Sequence, residues 1–375
     1  MGNSRIGYRA NYIALVFFLF ALLVVNLVAC KKDCPEGKDC PPVIDSTKGT
    51  PYTIEKPNRF PGFKLDQTNP LTEEGIELGR FLFYDPIISR DSSLSCASCH
   101  SQEHAFSDPR KFSVNAMGQP TKRNSMPLFN LIWNQHFFWD GRKSTLVSAT
   151  EDAINAELFP DWSVVLPKLK ASAVYGPKFK KAFGTDEPNS QLVAKALAQF
   201  MSVLISSKTL TDEELFARNT WVNASPEIRR GYDLFINKDG GDCFHCHFSS
   251  ALMHDFVFQN NGLDSATSVT QFTDKGRGGI TDTVFHMGKF KTPSLRNLKY
   301  TAPYMHDGRF ATLREVIDFY SEGVRYSPTV SAGMEFVGSG GVRLTESEKD
   351  DLIAFLMALT DTGFVNNPKF SDPFK

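Results

Sequence analysis

Residues 96–100 read CASCH and residues 243–247 read CFHCH. Two cysteines, two spacers and a histidine can hold zinc, form a redox disulfide or take a covalent haem. The second copy narrows the choice. Three of the seven cysteines, Cys30, Cys34 and Cys40, lie near the N-terminus. The other four all sit in these two units, as Cys96 and Cys99 before His100 and as Cys243 and Cys246 before His247. In a c-type haem two thiols add to the two vinyl groups and the adjacent histidine binds the iron. A thioredoxin-like site does not need the histidine. A zinc site needs four ligands from one cluster, and each copy offers three. The spacing therefore predicts two covalent c-type haems, one in each unit.

The repetition reaches beyond the cysteines. Upstream of the first unit stands LTEEGIELGRFLF, with Gly79 four residues before Phe83; upstream of the second stands ASPEIRRGYDLF, with Gly231 four before Phe235. Both read as short amphipathic helices, with Thr72 and Ser225 as N-caps. Downstream, the first copy has Arg123-Asn124 and then DGRKSTL from Asp140 to Leu146. The second has Arg296-Asn297 and then DGRFATL from Asp307 to Leu313. The shared order predicts an internal duplication.

The 375 residues allow about two domains, and a hydrophobic content of 41% with 22% charged residues is that of a globular protein. A net charge of −1 gives no reason to expect a nucleic-acid partner. The N-terminus differs from the rest. Arg5 and Arg9 precede an uncharged apolar run, YIALVFFLFALLVV, and LVAC ends at Cys30. This pattern predicts an export signal over 1–29 with Cys30 as the lipidated end of the mature chain, a plain transmembrane anchor being the alternative. Either puts the remainder outside the cytoplasmic membrane; the lipidated reading makes it periplasmic and anchored by lipid to the cell membrane or outer membrane. Residues 30–56 read as a flexible tether, in which Cys34 and Cys40 are free to pair with each other.

KALAQFMSVLISS (195–207) and EKDDLIAFLMALT (348–360) have helical apolar spacing, and ATLREVIDFYSEG forms another helix ending near Gly323. The stretches 111–127 and 260–297 read as ordered loops, and no run supports a substantial sheet. The expected fold is all-α: two fused cytochrome-c-like domains, 57–210 and 211–375, each with one covalent c-type haem and long ordered loops.

LTEEGIELGRFLFYDP, LSCASCH, RNSMPLFN, FFWDGR, FKTPSLRN, TAPYMHDGRFATLREVIDFY and LTESEKDDLIAFLMALT together resemble the bacterial di-haem cytochrome c peroxidase family, which includes MauG-like enzymes. The resemblance covers roughly residues 57–360. It implies peroxide chemistry at the N-terminal haem, electron entry at the C-terminal haem, and calcium between the two domains. Tyr320, seven residues after Leu313, falls where the family places the second axial ligand of the C-terminal haem, with Met305, Met287 and His306 as the other candidates. Seven residues after Leu146 stands Ala153, which cannot bind iron, so the N-terminal haem is expected to have an open or water-bound face.

The resemblance also implies a distal acid–base glutamate after W-D-G-R. Glu157 is the candidate, with Glu151 and Asp152 as alternatives; Ala149 stands where the family has a glutamine. Trp139 resembles the tryptophan placed between the haems, where an indole relays electrons and also packs the core. Asn124 with the main-chain oxygens of Thr301 and Pro303 matches the calcium site, and oxygen ligands suit a hard cation. The removable distal histidine of several family members has no counterpart: His104 is too close to His100, which implies an enzyme ready in its diferric form. His136 and His254 read as structural, and Arg142 and Arg309 as braces for loops or haem propionates.

The sequence thus predicts a lipid-anchored peroxidase that reduces hydrogen peroxide to water with electrons from a small cytochrome c or copper protein. It leaves homodimerisation open. The alternatives are a MauG-like oxidation of a protein side chain through a high-valent di-haem state, and a pure di-haem electron carrier.

Overall fold

Two helix pairs frame the molecule, and the same Gly-x-x-x-Phe spacing builds both. In the computed structural model, which describes residues 49–247 and 250–375, the helix Glu73–Tyr84 starts at Thr72, whose side chain accepts from the Gly75 N–H. The helix Pro226–Ile236 starts at Ser225, whose side chain accepts from the Ile228 N–H. Each cap satisfies a donor that has no partner inside the helix. Gly79 lets the first helix press onto Ser190–Ser202: a methyl group there would stand 2.0 Å from the Ala196 carbonyl oxygen. Gly231 presses the second onto Glu346–Ala358, where a methyl would stand 1.9 Å from the Asp351 carbonyl oxygen. Residues four apart share a helix face, so Phe83 and Phe235 close the same seams. Their ring centroids lie 5.3 Å from Phe200 and 5.1 Å from Phe355.

Each seam leads into a core. Leu78, Leu82, Phe83, Phe106, Phe179, Leu197 and Phe200 belong to the first; Phe235, Ile317, Leu352, Phe355 and Leu359 belong to the second. The described residues form one compact unit. The chain's last segment returns to the first core: Phe364 and Phe370 are buried there, and the Tyr84 hydroxyl donates to the Phe370 carbonyl at 2.6 Å.

The two predicted core helices are Ser190–Ser202 and Glu346–Ala358, each starting earlier than its apolar run because Asn189 and Thr345 cap it. Trp162–Ala171 and Tyr175–Phe183 add two helices that the periodicity did not indicate, the first carrying Pro167 in its interior. Among the described residues the sheet is one antiparallel pair, Phe258–Gln259 with Phe290–Lys291, so the fold is mostly helical, as expected. The predicted signal segment, the lipidation at Cys30, and Cys34 and Cys40 lie outside the described residues. No helix of the described residues is long and apolar enough to cross a membrane.

The structure corrects the register of the repeat. Arg123-Asn124 is not the counterpart of Arg296-Asn297; Phe129-Asn130 is. Asn130 and Asn297 both take left-handed backbone angles, φ 57° and 60°. Their backbone N–H groups donate to the carbonyls of Leu204 and Leu359, just beyond the two core helices. Their side-chain oxygens accept from the N–H groups of Ser206 and Asp361, at 2.9 and 2.8 Å. A shared dipeptide misled the reading, because the hydrogen-bonding duty falls on the asparagine ten residues before each D-G-R aspartate. Asn124 does a different job, described below.

After each D-G-R-x-x-T-L, the threonine caps a helix, Leu146–Ala153 or Leu313–Asp318. Both helices then widen into a π turn, Ile154–Leu158 and Phe319–Gly323. Such widenings re-aim side chains and recur at functional sites.

Candidate functional site

Cys96 opens the 3-10 turn Cys96–Ser98, and Cys243 directly precedes the helical turn Phe244–His247. All four cysteines are free thiols. Burial pushes Cys96, Cys243 and Cys246 up to about 12 and raises Cys99 as well. A zinc site or a redox dithiol needs thiolates, which these surroundings disfavour. Among the described residues no cluster of His, Cys, Asp and Glu is arranged to hold a metal ion. Apolar, protonated thiols next to a histidine fit thioether formation instead.

The two histidines are held alike. His100 Nδ1 pairs with the Phe106 carbonyl at 2.8 Å, and His247 Nδ1 with the Met253 carbonyl at 3.1 Å. Phe106 and Met253 both take left-handed angles, φ 60° and 57°, unusual for residues with side chains. Engaging Nδ1 in this way fixes the ring's orientation, the arrangement that a metal-binding histidine uses to present its other nitrogen. Burial lowers the proton affinity of both imidazoles.

Each unit borders a cavity. The first, about 1180 Å³, is lined by Cys96, Cys99 and His100, with Ala149, Ala153, Glu157 and Arg142 among its other walls. The second, about 220 Å³, is lined by Cys243, Cys246 and His247, with Tyr320, Met305, His306 and Asn261. The first exceeds the usual range for small-molecule pockets, about 300–1,000 Å³. Trp139, Asn124 and Lys291 line both cavities and so form a common wall. Trp139 is buried, and its indole N–H donates to the Asn124 carbonyl at 2.9 Å. Its ring sits edge-on to His306, with centroids 6.5 Å apart.

Glu157 lies in the first π turn and lines the first cavity. Burial raises its pKa; Arg142 opposes the shift and Asp152 adds to it. Glu151 and Asp152 do not line the cavity, and Asp152 is paired with Arg142 at 2.9 Å and Lys143 at 3.1 Å. His104 lines neither cavity and bonds to Ser101 Oγ at 2.7 Å. His254 does line the first cavity, a placement that the sequence reading did not foresee. Its pKa is driven down to about 3 by burial, with Lys291 and His247 adding to the shift.

Tyr320 lies in the second π turn. Its hydroxyl accepts from Asn261 Nδ2 at 2.9 Å, and the same nitrogen stands 3.7 Å from Met305 Sδ. Of the other candidate ligands, Met305 and His306 line the cavity and Met287 does not. His306 is stacked on Phe290 at 3.7 Å. Asn124, Thr301 and Pro303 border the second cavity together. Asn124 Nδ2 donates to the Arg110 and Lys111 carbonyls at 3.1 and 3.3 Å, and its backbone N–H to His306 at 2.8 Å. Arg309 pairs with Asp307 in its own loop and ties that loop to Asp264. Asn261 and Lys291 lie within stretches already singled out, yet nothing in their spacing marks them.

The profile of the family described as di-haem cytochrome c peroxidase matches residues 73–219. The chain is 36% identical over 298 residues to the methylamine utilization protein MauG of Methylorubrum extorquens, covering 78% of this chain and 80% of that protein. It is 31% identical over 330 residues to the cytochrome-c peroxidase IdrP1 of Denitromonas iodatirespirans, covering 81% and 86%. A crystal structure of a MauG-like protein associated with microbial copper homeostasis superposes with a TM-score of 0.76 at 32% identity, over 86% of this chain and 100% of that one.

Proposed function

The chain belongs to the di-haem cytochrome c peroxidase family, a family of haem oxidoreductases, and from that premise we propose that it reduces hydrogen peroxide to water with electrons from a small periplasmic cytochrome or copper protein. The observation that carries this reading is the inequality of two like cavities joined by one wall. The first has Ala153 where the second has Tyr320, and Glu157 lines the first with its pKa raised by burial, whereas Asp242, the raised carboxyl at the second, is tied to His245 at 2.5 Å.

Cys96, Cys99 and His100 hold one c-type haem in this reading, and Cys243, Cys246 and His247 the other, in the two halves 57–210 and 211–375. Bound there, the first haem would supply the redox chemistry for reducing peroxide. Glu157 takes the proton from the near peroxide oxygen and returns it to the far one, so that water leaves. Tyr320, fixed by Asn261, would hold the iron of the second haem through its phenol oxygen and leave that half to electron transfer. Trp139, on the common wall, relays electrons between the halves. Asn124 supplies its Oδ1 to calcium together with the Thr301 and Pro303 carbonyls, because its amide nitrogen is already engaged. Since Asn124 also receives the Trp139 indole bond, that cation would steady the relay. Export and lipid anchoring through Cys30 complete the reading.

A second reading keeps the fold and changes the reductant to a protein side chain. Tyr320 at the second cavity and the 36% identity to a MauG favour it. One experiment separates the two: peroxide-dependent oxidation of a reduced small cytochrome by the haem-loaded protein. Sustained turnover supports the peroxidase; reaction with peroxide and no donor turnover supports the second reading.

A further inference from the structure

Lys291 has no part in the chemistry above, yet it stands at its centre. It is the second residue of the strand Phe290–Lys291, and its backbone N–H donates to the Trp139 carbonyl at 2.7 Å. Its ammonium donates to the His136 carbonyl at 3.2 Å. Among the described residues it enters no ion pair, and burial alone brings its pKa down to about 8. Lys291 is half-buried, and an ammonium partly withdrawn from water is costly without a counter-charge.

The neighbouring cations differ. Arg123 is neutralised by Asp140 at 2.6 Å and Asp274 at 2.7 Å, and Arg142 by Asp152 at 2.9 Å. Among the described residues, Lys291 is the one Lys or Arg that lines the second cavity. A c-type haem brings two propionates on the edge opposite its thioethers. A haem in that cavity therefore carries carboxylates that need a cation, and the cavity offers one cation that needs a carboxylate.

We propose that Lys291 is a carboxylate-binding site on the wall between the cavities, taking a propionate of the haem held by Cys243, Cys246 and His247. The inference rests on the two-haem reading above. A cation held there favours the reduced haem, which carries one positive charge fewer. Because the same residue bonds to the Trp139 backbone, propionate and relay share one anchor.

The test is spectroelectrochemistry of wild type, Lys291→Met and Lys291→Arg, after counting haems per chain by pyridine haemochrome. Fewer than two haems in the wild type would overturn the two-haem reading itself. With two haems present, Lys291→Met should lower the potential of the second haem by about tenfold in its reduction equilibrium, about 59 mV for one electron, and Lys291→Arg should restore most of it. Unchanged potentials in Lys291→Met would overturn the proposal alone. If Lys291→Met does not fold, resonance Raman of Lys291→Arg decides. The propionate bending modes must move, since the donor geometry changes, while the iron-coordination bands stay; propionate modes identical to wild type would refute the site.

Discussion

Glu157→Gln isolates the acid–base step with little change in shape. The glutamine keeps the size of the side chain in the π turn Ile154–Leu158 and removes only the titrating proton. A positioned acid–base group contributes about 10²–10⁴-fold, or roughly 2.7–5.4 kcal/mol at 1.36 kcal/mol per tenfold. The loss should fall near the upper end. Burial is the largest influence on this carboxyl and raises its pKa, which brings it toward the pH at which it must both take and give a proton. The assay is kcat/KM for peroxide against pH. Wild type should gain activity as pH rises through the raised pKa and Glu157 becomes a base; Glu157→Gln should lose that limb. Arg142 holds the pKa down, so Arg142→Gln should move the limb to higher pH.

Stability supplies an independent sign. A carboxyl whose folded pKa is raised favours the fold below its unfolded pKa, about 4.3 for glutamate, and that contribution is lost as pH rises through the folded pKa. Glu157→Gln should therefore gain on wild type in denaturation as pH rises. A variant within threefold of wild-type activity, with the limb intact, would refute the assignment.

Tyr320→Phe should raise the potential of the second haem, because a phenolate stabilises the ferric state; the freed Asn261 then favours Met305, and the spectrum should show thioether ligation. Arg296 is fully buried and paired with Asp212. Arg296→Met should therefore cost about 3–5 kcal/mol in denaturant unfolding, since it strands a buried carboxylate. Chelation of calcium should slow electron passage between the haems, read by stopped-flow, and leave the first reaction with peroxide intact.

The two candidate haem-attachment units stood out because their chemistry is local in sequence: C-x-x-C-H puts three participants in one turn, and two copies use every cysteine outside the tether. The caps at Thr72 and Ser225 were legible for the same reason. The purpose of Gly79 and Gly231 was not, since their partners at Ala196 and Asp351 stand 117 and 120 residues away. The π turns were invisible because one extra residue per turn scarcely disturbs an apolar pattern over five positions. They carry Glu157 and Tyr320, two residues that only the family resemblance could single out. The misassigned Arg-Asn repeat shows the reverse fault: identical letters at unequal spacing, corrected once Asn130 and Asn297 proved to share backbone angles and hydrogen bonds. Lys291 needs both cavities in view before its want of a counter-charge has meaning.

The account stands or falls on an open iron face at the cavity bordered by Ala153. Stopped-flow absorbance of the fully oxidised, haem-loaded protein mixed with one equivalent of hydrogen peroxide tests it most directly. The account predicts a fast Soret shift without prior reduction, abolished or strongly slowed in Ala153→Tyr. A Soret band that stays unchanged until the protein is reduced by one electron would contradict the open face; no response even then would point to an electron carrier.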